Sequence, residues 1–255
     1  MFLPTAHPGI YRRMLLGAAI TLGCIPALAC GTISSHAKVK SVTQRGEIRL
    51  DDGRLTRLAG LDGAALTAAR SWIGESVGVA LSAPRPDRWG RWLVDLTLPD
   101  GGSAAIEVLS LGLARVRPEF ETRGCEVERL EAESAARAAG EGIWSDPRAI
   151  LDASDLETLG ADDGRFVLVE GIVRRVGLGR SRVYLDFGRR GGFTAFVARK
   201  AEAAFMRRGF ALSLLAGQKV RVRGVLDDRF GPRIELADPS MIERADGSTE
   251  TKPGG

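Results

Sequence analysis

Apolar residues alternate with polar ones over several short stretches of the chain. Val42 to Leu50 and Leu55 to Leu61 read as two strands around Asp51-Asp52-Gly53, a hairpin signal of Asp-Gly type. Leu66 to Ile73 reads as a short helix and Val77 to Ser82 as a strand. Pro84-Arg-Pro86 interrupts the pattern, and Trp92 to Leu98 alternates as the next strand. After the turn Pro99-Asp-Gly-Gly102, Ala104 to Leu111 is helical, with Gly112 where a helix C-terminus favours glycine. Glu126 to Ala139 is the clearest helix. Glu133 and Arg137 lie at i,i+4 spacing, Val127 and Leu130 are expected to face inward, and Gly140 ends it. Strands with helices packed on them describe a small Greek-key barrel of the OB type over residues 41–147.

A second unit is expected over residues 165–243. Ile150 to Gly164 reads as an acidic connector with a short helix from Ala153 to Leu159. Arg165 to Val176, Arg182 to Phe187, Phe193 to Val197, Gln218 to Leu226 and Arg233 to Leu236 read as strands, and Lys200 to Arg208 as a helix. The order βββαββ is again that of an OB barrel. The fold class expected is therefore mainly β with helices (α+β): one OB barrel followed by a second, smaller OB-like one. Residues 31–40 read as a polar linker and 245–255 as a disordered tail.

The first 29 residues change the picture most. Arg12-Arg13 is a basic start, Met14 to Leu28 is an apolar run broken by Gly and Pro, and Ala27-Leu-Ala29 fits a small-x-small cleavage site before Cys30. The run is short for a membrane span. The expected location is outside the cytoplasm, periplasmic or secreted; Cys30 followed by Gly31 offers lipid anchoring as an alternative, and the arginine pair also fits a Tat signal.

After such cleavage, His36 is the only histidine and Cys125 the only cysteine beyond Cys30. A closed Cys/His zinc site needs about four ligands, so that class is excluded. So is Ser-His-Asp or Cys-His catalysis, unless His36 folds back. Cys125 reads as a small buried or half-buried residue, with a disulfide to Cys30 as the alternative. The net charge is only +4, yet Arg165 to Leu236 holds sixteen Lys/Arg against six Asp/Glu. A basic OB-like unit points to a polyanionic partner. Arg174, Arg175, Arg180, Arg182, Arg189 and Arg190 are interleaved with Tyr184, Phe187, Phe193 and Phe196, the pattern of single-strand binders. Val183, Leu185 and Phe187 share one strand face, which leaves Tyr184 on the other as the stacking candidate. The bland alternative is that the aromatics fill a barrel and the arginines form a solvated face.

Four segments, in order, resemble the thermonuclease (micrococcal nuclease-like) family: Arg57-Leu-Ala-Gly-Leu-Asp62, Asp87-Arg-Trp-Gly-Arg91, Glu107-Val-Leu-Ser-Leu-Gly-Leu-Ala-Arg-Val116 and Gly142-Ile-Trp-Ser145. The resemblance implies a barrel of OB type and metal-dependent phosphodiester hydrolysis of nucleic acid. It implies Arg57 and Arg91 as phosphate-binding catalytic arginines, whose donor forks suit phosphate oxygens, and Asp62 as one ligand of Ca2+.

Two positions depart from the family pattern. Where the second calcium aspartate should stand, the sequence reads Gln44-Arg-Gly46-Glu47 and the ligand position falls on Gly46; Glu47 is one residue off, on the opposite face unless a bulge re-aims it. Where the catalytic glutamate should follow, the sequence reads Asp62-Gly63-Ala-Ala65. A hard cation prefers several oxygen ligands, and loss of a general base costs roughly 10²–10⁴-fold in rate. Activity is thus expected to be weak or lost. Without the resemblance, Arg57 reads as an ion pair with Asp62, Asp62 as a cap for the Leu66 helix, and Trp89, Trp92 and Trp144 as packing. The remaining function classes are a noncatalytic nucleic-acid or polyanion binder and an envelope scaffold that contacts protein partners.

Overall fold

The computed structural model describes residues 31–63, 65–119, 124–189 and 191–245. The expected signal peptide, Cys30, Arg190 and residues 246–255 of the expected tail lie outside the described residues. Ala245, the first tail residue, is still tied down: its N–H donates to Lys219 O at 3.1 Å.

The first unit runs β1 (Ser35–Val42), β2 (Ile48–Leu50), β3 (Leu55–Leu58), β4 (Leu61–Gly63), α1 (Leu66–Ser71), β5 (Ser76–Leu81), β6 (Arg91–Thr97), α2 (Ala104–Ser110), β7 (Ala114–Val116) and α3 (Glu126–Ala139). Five strands close a barrel in the order β1-β2-β3-β6-β5, with β1 also pairing β5 and with β3 and β6 parallel. The apolar positions of these strands fill the barrel. Val39, Ile48, Leu50, Val77, Val79, Val94 and Leu96 are all at most 1% exposed. β4 and β7 form a separate two-stranded ribbon.

Several expectations shift for local reasons. The supposed linker already contains β1, and His36 pairs with Gly78 in the barrel wall. The expected Val42 to Leu50 strand is interrupted by a turn. Thr43 N–H donates to Glu47 O, Gly46 N–H to Thr43 O, and Gly46 sits at φ +77°. Leu55 to Leu61 is broken at Gly60, where φ is +74°.

On α3 the inward stripe is Arg129, Glu133 and Ala136, while Val127 is 45% exposed and Leu130 and Ala132 pack partly on the core. The i, i+4, i+7 spacing of that stripe is helical, but two of its three residues are charged. Each finds a buried partner: Arg129 pairs with Asp95 of β6 at 3.5 Å, and Glu133 with Arg223 of the second unit at 2.9 Å.

The second unit comprises β8 (Leu151–Asp152), α4 (Leu156–Ala161), β9 (Phe166–Ile172), β10 (Arg175–Leu178), β11 (Arg182–Asp186), β12 (Thr194–Ala198), α5 (Glu202–Arg207), β13 (Lys219–Asp227), β14 (Arg233–Glu235) and β15 (Ile242–Arg244). The connector helix starts later than expected because Asp155 caps it, accepting from Thr158 N–H at 3.1 Å. The expected Arg165 to Val176 strand splits into β9 and β10 at Val173-Arg174, where Val173 turns inward and bonds Gln218. The sheet follows the path β10-β11-β12-β14-β13-β9-β8, with β15 added on β13. With β9 and β10 taken as one bent strand, this is the strand order of the first barrel, including one parallel pair, β12 with β14. The protein is thus a mixed α+β structure, mostly strands with some helices.

The units meet through α3 and the segment after it. Trp144 packs with Ala136, Ala149 and Leu168 of β9, so it closes α3 onto the second unit. Arg137 binds both Glu133 and Glu243. No helix among the described residues is long and apolar enough to cross a membrane.

Candidate functional site: an arginine-lined cavity of the first barrel

The Thr43–Glu47 turn, β3, β4, the loop between β5 and β6, and the stretch after β7 enclose a cavity of about 650 Å³. Arg57, Arg91, Asp62 and Glu47 all line it, together with Arg45, Arg85, Asp87, Trp89, Arg117 and Glu119. The structure therefore brings together every residue that the resemblance put at the catalytic centre.

The Asp87–Arg91 turn is a device for aiming one guanidinium. Asp87 Oδ1 accepts the N–H groups of Trp89 and Arg91 at 2.9 and 3.0 Å, while Oδ2 accepts Arg91 Nε at 2.9 Å. Burial works to raise the Asp87 carboxyl, but the Arg91 and Trp89 hydrogen bonds outweigh it and hold it below the ordinary range. The hydrogen bond to Asp87 in turn raises Arg91 above its usual value. Arg91 Nη1 reaches Glu47 Oε1 at 3.2 Å. Glu47 thus points into the cavity, contrary to its expected outward direction. It lies in the turn before β2 rather than within a continuous strand, so strand alternation does not apply to it.

Arg57 does not pair with Asp62. It donates to Glu119 Oε1 at 2.8 Å and to Leu61 O at 3.3 Å, and Glu119 Oε2 accepts Gly60 N–H at 2.9 Å. Asp62 does not cap α1, whose N-cap is Ala65 with no side-chain bond. It faces Arg117 at 3.6 Å. Burial raises the Asp62 carboxyl above its ordinary value of 3.8, and the charges of Arg117, Arg115 and Arg57 oppose this without cancelling it.

Trp89 is 60% exposed and lies outside the core. Arg88 and Arg91 lie over its ring at 3.9 and 4.7 Å, so the indole offers a face beside the guanidinium.

Each of the four carboxylates lining the cavity is thus held by an arginine, and Arg45 and Arg85 have no carboxylate partner among the described residues. This donor set does not fit the calcium ion that the resemblance implies. Glu47 and Asp62 are each occupied by a cation, and no group of three or more His, Cys, Asp or Glu among the described residues converges as a metal site. What the arrangement offers is preset guanidinium donors beside an aromatic face. It suits a phosphodiester backbone, whose oxygens accept such forks. Glu119 and Arg117 were not found by sequence reasoning. Glu119 lies 62 residues from its partner Arg57, and no local pattern marks it.

One test follows from Asp62. Because its native pKa is raised, the ionised form costs stability above the unfolded value, and that cost disappears as pH falls below it. Asp62→Asn is therefore expected to raise the melting temperature at neutral pH, and the gain should vanish below about pH 4. A variant less stable than the parent at pH 7 would mean that the Arg117 pair outweighs burial.

Of the residues expected to bind nucleic acid in the second unit, Arg175, Arg182 and Tyr184 line one groove. Arg174 lies in a different depression, beside Phe187 and Lys219. Arg180 sits exposed in the turn between β10 and β11, and lines neither. Cys125 is half-buried and disulfide-bonded. Cys30, the alternative partner expected for it, lies outside the described residues. Compared with known proteins, the chain matches no family model, and no curated protein matches it.

Proposed function

We propose that this is an exported protein of the thermonuclease type, built from two OB-like barrels, that grips nucleic acid and has weak or no calcium-dependent phosphodiesterase activity. The observation that carries this reading is the convergence of Arg57 and Arg91 on one cavity whose carboxylates are already neutralised by arginines. The arginines supply the charge stabilisation that phosphodiester chemistry needs. The carboxylates beside them, Glu47, Asp62, Asp87 and Glu119, are each paired with an arginine, so none of the four stands as a free general base. The shared strand order, with a parallel pair between its third and fourth strands in each unit, supports OB-like barrels. The disulfide at Cys125 supports an oxidising compartment.

The second reading is a calcium nuclease in which Glu47, Asp62 and Glu119 leave their arginines for a metal. It is favoured by their lining the same cavity. Incubating the purified chain with single-stranded DNA and RNA, in calcium and in chelator, separates the two. The expected result is no calcium-dependent cleavage, together with binding that weakens steeply with salt because each neutralised phosphate releases counterions, and that weakens further in Arg91→Ala. Calcium-dependent cleavage lost in Arg91→Ala would establish the nuclease. Absence of both cleavage and binding would leave the envelope scaffold.

A further inference from the structure

The groove on the second barrel has a chemistry of its own. Strand pairing sets Gly177, Tyr184 and Phe196 in one cross-strand row on β10, β11 and β12, and Arg175, Asp186, Thr194 and Arg233 in the next. Inward-facing Val183, Leu185, Ala195 and Val197 are fully buried, so these rows occupy the outer face of the barrel. Tyr184 and Phe196 stand with ring centroids 6.3 Å apart, and the Arg182 guanidinium lies 4.6 Å over Phe196. Phe230, from the β13–β14 loop, is 82% exposed with Arg233 beside its ring at 4.9 Å.

We infer that this groove is a second binding site, one that holds a short run of single-stranded nucleic acid by stacking bases on Tyr184 and Phe230 while Arg182 and its neighbours meet the phosphates. Three arginines and one aspartate line the groove, and that aspartate, Asp186, is already bonded by Arg175 and Thr194. Arg182 has no carboxylate partner among the described residues. A large aromatic left this open has no packing role, whereas flat π faces beside guanidinium groups suit bases of any sequence. Glycine at 177 leaves the floor beside Tyr184 empty; a Cβ there would make only ordinary contact, 3.7 Å from Tyr184 Cβ. The inference rests on the nucleic-acid reading above but concerns different residues on a different barrel.

The test is fluorescence anisotropy of a labelled oligothymidylate of about fifteen nucleotides, within the span that such barrels cover, titrated with the full chain. Phe230→Ala and Tyr184→Ala should each weaken binding roughly 5- to 100-fold, the range for loss of one stacked base. Gly177→Leu should do the same by filling the groove. Arg182→Ala should lower the slope of log affinity against log salt by about 0.7, whereas Phe230→Ala should leave the slope unchanged. Phe230 is too exposed for its truncation to disturb folding.

If the groove variants bind like the parent while Arg91→Ala does not, the groove inference falls and the first-barrel reading stands. If no variant changes binding, both fall. Equal affinity for polyglutamate, lost in Arg182→Ala but not in Phe230→Ala, would make the groove a site for acidic protein segments and overturn the inference.

Discussion

Glu133→Ala is expected to lower the stability of the chain by about 3–5 kcal/mol, the usual cost of stripping one partner from a buried ion pair. For a protein of this size that is a fall in melting temperature of roughly 6–20 °C. Glu133 is fully buried on α3 and its two oxygens take Arg223 Nη1 and Nη2, both at 2.9 Å. One oxygen also accepts Val116 N–H, and Arg223 Nη1 donates to Val116 O at 3.1 Å. Removing the carboxylate thus leaves a guanidinium and a backbone N–H in a site that water does not reach.

Arg223→Met should cost less, because Arg137 continues to bond Glu133 at 3.0 Å. The double change Glu133→Leu with Arg223→Met should recover part of the loss, since a well-packed apolar pair can replace a buried salt bridge. Thermal unfolding followed by circular dichroism reads all three. A Glu133→Ala melting point within a degree of the parent would mean that the two units do not depend on this contact.

The same junction should be sensitive to acid. Burial works to raise Glu243, but Arg223 and Arg137 outweigh it and hold the carboxyl below its ordinary value of 4.5. Its contribution is therefore complete above about pH 4.5 and lost as pH falls through the lower native value.

How much of this was legible in the sequence depends on the range of the interaction that decided each feature. Most strands of both units could be read from alternation, because a half-buried strand has to repeat every two residues, but β1 fell in the supposed linker. The span of α3 could be read for a similar reason, but its orientation could not. Hydrophobicity placed Val127 inward, and the pairing of Arg129 with Asp95 and of Glu133 with Arg223 turned the charged stripe inward instead. The partners lie 34 and 90 residues away, and periodicity carries no information at that distance. The candidate site divides the same way. Arg57, Arg91 and Asp62 were found through motifs. The arginine pairing that removes their carboxylates from metal duty depends on Glu119 and Arg117, which meet the cavity only through the β4–β7 ribbon. Glu47 was misdirected by strand alternation because a glycine turn, not a strand, carries it.

The cavity and the groove then differ in a way that bears on function. In the cavity Arg57, Arg91 and Arg117 are paired with carboxylates before any ligand arrives, which favours a set geometry over strong net attraction. In the groove Arg182 lies over Phe196 with no carboxylate partner among the described residues, and the Phe230 ring stands in solvent. On the reading proposed above, orientation of a backbone in one unit and sequence-tolerant stacking in the other would be complementary ways to hold one strand.

Gly142→Ala is expected to destabilise the chain by about 2–5 kcal/mol, the sum of a left-handed backbone penalty and overpacking. Gly142 has φ +54°, and a Cβ there would lie 2.3 Å from Gly112 O. Gly112 has φ +63°, and its Cβ would lie 2.2 Å from Glu141 O. Both obstacles are backbone, so neither can rotate aside, and the approach is fixed by Ile143 N–H donating to Gly112 O at 2.9 Å. Gly140→Ala supplies the control. Its φ of +69° is equally left-handed, but nothing lies within 4 Å of an added Cβ, so only the backbone penalty of about 1–2 kcal/mol applies. The difference between the two variants in thermal unfolding isolates the contact, and equal losses would show that the close approach relaxes freely. The contact joins two of the four segments that carry the thermonuclease resemblance, Glu107 to Val116 and Gly142 to Ser145. These segments hold α2 against the end of α3, and none of their residues lines the cavity that Arg57 and Arg91 share.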